Sequence, residues 1–170
     1  MNVHPIFTHF PVALLTLYGI MELARFKKIS TQQYWFYVKA IFLILGTVIG
    51  YATFFTGYVL RDDYKLDSIV KVINTHMWFA IGTLALFSLL SLGYFIAWLE
   101  KEKIISVTSN KKSVTFLLSI KSVLNSNWFC ILGALAGLVG ITVTGALGGA
   151  LAYGNDVDPM VNCVYHLLIK

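Results

Sequence analysis

Charge is the scarce component of this sequence. Asp, Glu, Lys and Arg make up only 12% of its 170 residues and hydrophobic residues 58%, whereas soluble domains carry roughly 25% charge. That balance excludes a soluble globular domain and implies an integral membrane protein. Cysteine is almost as rare. Cys130 and Cys163 fall near opposite ends of the last apolar segment, and about 30 residues of helix and turn hold them some tens of Å apart. A disulfide needs Cα atoms within about 7 Å. Neither thiol belongs to a CxxC or CxxCH pattern, which leaves covalent c-type haem attachment and thioredoxin-like chemistry without support. There is no GxSxG, no HExxH, no phosphate loop and no pair of carboxylates inside an apolar run, so no independent catalytic activity is expected. Thirteen Lys plus Arg against eight Asp plus Glu would suggest nucleic acid in a soluble chain; in one this apolar, the placement of charge reports orientation instead.

What is present is concentrated at the start. Two of the four histidines and two of the three prolines lie in His4-Pro5-Ile6-Phe7-Thr8-His9-Phe10-Pro11, ahead of an apolar run with no charge before Glu22. The first positive charge, Arg25, follows that run, so the segment is expected to stay as a helix rather than act as a cleaved signal. Pro5 suits a first helical turn. Pro11 removes the donor to the carbonyl of Phe7.

Four spans are expected in one domain, residues 1 to 170, at about 5–23, 40–60, 72–99 and 128–153; about 20 apolar residues cross a bilayer core. The aromatic cluster Tyr34, Trp35, Phe36 and Tyr37 suits headgroup level. The second span carries Gly46, Gly50, Thr53 and Gly57 on one face, and the fourth Gly133, Gly137, Gly140, Thr144 and Gly148. Such stripes let helices approach closely. Residues 100–127 read as a cytoplasmic loop, within which Val114 to Leu124 is apolar enough for either an interfacial helix or a loop. The tail beyond Pro159, with Cys163 and His166, is expected to be free of the bundle.

Arg25, Lys27, Lys28, Lys39, Lys101, Lys103, Lys111, Lys112 and Lys121 flank the first and third connections, while the amino terminus, second connection and tail hold only Arg61, Lys65, Lys71 and Lys170. Nine against four puts both termini outside the cytoplasm. The expected fold is therefore an all-α integral membrane four-helix bundle with both termini extracytoplasmic. Antiparallel packing then collects His4, His9, His76, Asp62, Asp63, Tyr153 and Asp156 near one end.

His9 and His76, each followed on its face by small residues (Ala13 and Thr16, Ala80 and Thr83), form a cradle for a flat macrocycle. Haem b held by these two as axial ligands, with His4 as a neighbouring or alternative ligand and Phe10 and Phe79 against the ring, is one reading. His4 and His9 are roughly 140° apart around a helix, which argues against a compact site for another metal built on both. The plainer alternative is that each imidazole caps a helix or bonds a neighbouring carbonyl, and that the glycine stripes are helix packing alone. A transporter using outer histidines for protons is weaker, because no span shows a buried acid or base at mid-depth.

The opening HPIFTHFP at 4 to 11 resembles that of an uncharacterised bacterial family of small four-helix membrane proteins, a domain of unknown function typified by His-Pro-x-x-x-His-Phe-Pro. The likeness continues through Thr56-Gly57, His76 and the run from Gly145 to Gly154. Members occur beside or fused to Rieske and cytochrome c domains. The resemblance therefore implies a respiratory context in the bacterial cytoplasmic (inner) membrane, without establishing an activity. The stretch 100–127 is longer than the family's connection, and Asp156 and Asp158 make the tail more acidic. Two functions follow as expectations: a membrane electron-transfer subunit binding haem b, or a cofactor-free structural or assembly subunit of a larger respiratory complex. The lipid bilayer is the expected surrounding, and no nucleic acid is expected as partner.

Overall fold

A computed structural model of the chain describes residues 4–24, 32–60, 67–105 and 112–169. They form six helices: α1 (His4–Leu23), α2 (Gln33–Leu60), α3 (Asp67–Lys101), α4 (Lys112–Leu124), α5 (Asn127–Tyr153) and α6 (Pro159–Leu168). Three are long and apolar enough to cross a membrane, over Gln33–Val59, Ile69–Lys101 and Asn127–Tyr153, and α1 adds the shorter apolar run Phe7–Leu23. The expected four-helix bundle is thus corrected to six helices among the described residues, three of them of membrane length.

The additional helices have local causes. Residues 112–124 present Leu124 inward, and a Cβ on Gly93 would lie 2.8 Å from the Leu124 Cβ, so the bare backbone of α3 makes the seat that turns a would-be loop into α4. Ser126 then caps α5, its side chain accepting from the Phe129 amide. At the other end of α5, Gly154 stops the helix with a positive φ of 96°, which costs glycine little. Asp158 caps α6 by accepting from the Met160 and Val161 amides at 2.8 and 2.9 Å, with Pro159 in the first turn. The expectation of a free tail is therefore corrected. Val161 and Ile169 are buried, Ile169 beside Val72 and Leu147, and Lys71 Nζ donates to the Ile169 carbonyl. The aromatic cluster 34–37 lies in the opening of α2.

α1 packs along α2 and α5, and α3 packs along the same two helices, which places α1 and α3 diagonally across the core. They meet through rings. Tyr18, fully buried, is edge-on to Phe87 at 6.3 Å and to Tyr94 at 5.8 Å, within the range where aromatic quadrupoles attract. Leu15, Leu43, Leu90, Cys130 and Ala134 complete this core.

Both glycine stripes face protein. A Cβ on Gly46 would meet Leu15 at 2.8 Å, and one on Gly50 would meet Leu84 at 2.7 Å. Along α5 the fit is more regular: Gly133 receives Leu90, Gly137 receives Phe87, Gly140 receives Thr83 and Gly148 receives His76. Two antiparallel helices interlock here, side chains of one seated on bare backbone of the other. Close packing of this kind drives helix association in lipid, where no hydrophobic gain is available.

Candidate functional site

His76 is the histidine the fold puts to use. Its Nδ1 lies 2.9 Å from the Thr144 carbonyl oxygen, one helical turn before Gly148, whose Cβ position would be 3.3 Å from the imidazole Cε1. The absent side chain at 148 admits the ring to the α5 backbone. An imidazole nitrogen that donates to a carbonyl fixes both the tautomer and the orientation of the ring. Beside it the Thr144 hydroxyl is buried with no hydrogen-bond partner among the described residues.

His9 is placed differently. The buried face of α1 is Pro11, Leu15, Tyr18, Gly19 and Glu22, while His9 and Phe10 are exposed. The structure therefore does not bring His9 and His76 together: they sit on diagonal helices, one turned outward and the other turned onto α5. His4 opens α1, but its side chain lies outside the described residues, as do Asp62 and Asp63. Phe79 joins the cluster of Val72, Leu147 and Ile169, and His166 is exposed on α6. A flat ring between α1 and α3 would need the hollows of α5 or an inward His9. Leu90, Phe87, Thr83 and His76 fill those hollows. Cavities of about 280 and 270 Å³ are lined respectively by residues of α2 and α3 around Thr47 and Ser91, and by residues around Val72 and Tyr165. Neither includes His9 or His76. Among the described residues, no three of His, Cys, Asp and Glu come together as a metal site.

Sequence reasoning missed a second polar cluster, at the opposite end. Glu22 is 4% exposed, and its Oε2 accepts from Lys39 Nζ at 2.7 Å and from the Tyr94 hydroxyl at 2.6 Å. Lys39 also stands 5.5 Å from the centre of the Tyr94 ring, and Phe36 stacks on that ring. The neighbouring Tyr18 side chain is fully buried against the Tyr94 ring. A carboxylate in an apolar interior is stable only with such donors. The available signal was the pairing of an acid at the end of one apolar helix with a base in the opening turns of the next. The cluster ties together α1, α2 and α3 near their ends rather than at mid-depth.

A set of apolar helices of membrane length, locked by glycine notches and holding the buried Glu22 on Lys39, defines an all-α membrane protein. Residues 1–159 match the family model described as a predicted membrane protein of unknown function, DUF2231, and the chain belongs to that family. No curated protein and no solved structure matches it.

Proposed function

We propose that the chain is a multi-pass subunit of the bacterial cytoplasmic membrane, with α1 crossing beside α2, α3 and α5, and that it serves as a cofactor-free structural or assembly subunit of a larger membrane complex. The observation that carries this reading is the seating of Leu90, Phe87, Thr83 and His76 in the glycine hollows of α5. Hollows filled by side chains of the neighbouring helix support a packing role, as does a histidine held against backbone. The 20 residues of α1 span about 30 Å, the thickness of a bilayer core. The nine-to-four bias of Lys and Arg supports both termini lying outside.

A second reading has one observation in its favour. An imidazole whose Nδ1 is held by a carbonyl is oriented as haem and metal ligands commonly are, with coordination through the other ring nitrogen. On that reading haem b would sit on His76 and supply one-electron transfer, the second axial ligand would come from elsewhere than an outward His9, and Rieske or cytochrome c proteins would be the exchange partners. The absorption spectrum of purified protein, oxidised and then reduced, separates the two. Colourless, iron-free protein from haem-replete cells supports the structural reading, and a Soret band lost on His76→Ala supports the other.

A further inference from the structure

The end of the molecule formed by the close of α3 and by α4 has its acids accounted for and its lysines in excess. Glu100 accepts from Lys121 at 2.6 Å, and Glu102 accepts from the Tyr37 hydroxyl at 2.7 Å. Lys101 stands over the Phe36 ring at 5.0 Å while remaining exposed. Lys103 and Lys112 are exposed with no carboxylate partner among the described residues. Large apolar side chains on the same segments are open to the surroundings: Ile104 is 69% exposed, Phe116 66% and Val123 62%. Lys112, Phe116 and Val123 recur at i, i+4 and i+11, which puts them on one face of α4. A different face of α4 packs on α3 through Leu124 and Gly93.

We propose that this surface binds the headgroups of anionic phospholipids. Fixed positive charge beside exposed apolar side chains matches the two halves of such a lipid: lysine ammonium groups meet the phosphate, while Phe116, Val123 and Ile104 enter the acyl boundary. Charge selects the occupant, since a zwitterionic headgroup offers these lysines no net attraction. A basic residue near an anionic surface strengthens binding by roughly fivefold, and salt screens that gain. The surface thus seats the close of α3 and α4 in one leaflet.

Native mass spectrometry of the full chain in detergent, titrated separately with phosphatidylglycerol and phosphatidylcholine, tests this. Phosphatidylglycerol should bind roughly tenfold or more tightly at low salt, and the preference should shrink in Lys103→Gln and nearly vanish in Lys103→Gln/Lys112→Gln, with thermal unfolding unchanged because both side chains are exposed. Phe116→Ser should weaken both lipids without changing their ratio. Equal affinity for the two lipids in the wild type would overturn the proposal, and so would a preference that survives the double substitution.

Discussion

The Thr53 hydroxyl lies 3.0 Å from the carbonyl oxygen of Phe7, the carbonyl that Pro11 deprives of its helical donor. The same hydroxyl is 3.0 Å from the Ile49 carbonyl, so one proton serves two acceptors. Within an apolar surrounding an unsatisfied carbonyl is costly, and a hydroxyl from a neighbouring helix is one of the few available remedies. Proline in α1 and threonine in the small-residue face of α2 therefore form one unit. Thr53→Val should lower stability by about 1 kcal/mol. In a Pro11→Ala background, where the helix supplies its own donor, most of that loss should disappear. Thermal unfolding of the four proteins in one detergent measures the coupling; equal losses in both backgrounds would show that the contact carries nothing.

Glycines in the same helix should respond differently. A Cβ at Gly137 would lie 2.5 Å from the Phe87 ring, whereas one at Gly145 meets nothing within 4 Å. Gly137→Ala should cost about 1 to 3 kcal/mol through overpacking, and Gly145→Ala should be neutral or mildly stabilising through helix propensity. Detergent unfolding midpoints decide this, and a matching fall in both variants would mean that the α3–α5 interlock is wrong.

The Glu22–Lys39 pair should be more costly to halve than to remove. Glu22→Leu leaves a mostly buried ammonium without its acceptor and should destabilise by about 3 kcal/mol. Adding Lys39→Met should recover much of the loss, since an apolar pair of similar size needs no desolvation. A double variant as unstable as the single one would point to Tyr94 as the dominant partner.

Legibility in the sequence followed the range of the interaction. Low charge and long apolar runs announced a membrane protein, and the second, third and fourth apolar segments correspond to α2, α3 and α5. Pro11 told which carbonyl would lack a donor, and the stripe at Gly46, Gly50 and Thr53 told that a helix would lie close. Neither told that Thr53 would serve Phe7, because that depends on the register between helices. His76 was legible as an imidazole needing a partner, but its partner is a backbone carbonyl, invisible in sequence. His9 was matched to it by depth; its exposure depends on rotation about the helix axis, which depth does not give. The pairing of Glu22 with Lys39 was missed because Lys39 entered only as one of the charges that report orientation, and nothing in the sequence sets the register between α1 and α2.

Orientation is open to a direct check. A reporter fused after Lys170 should lie outside the cytoplasm, and one inserted between Lys111 and Lys112 should lie inside, given the bias of basic residues across alternate connections. Both reporters on one side of the membrane would rule out the crossing of all four helices.

The central claim is that the hollows of α5 hold side chains of α3 rather than a prosthetic group. Its most direct test is the absorption spectrum and iron content of protein purified from cells given ample haem, for the wild type and for His76→Ala. The account predicts no Soret band and no stoichiometric iron in either protein, with His76→Ala less stable by roughly 0.5 to 1.5 kcal/mol through loss of the Thr144 contact. A Soret band and a reduced-state α band in the wild type, abolished by His76→Ala, would contradict it.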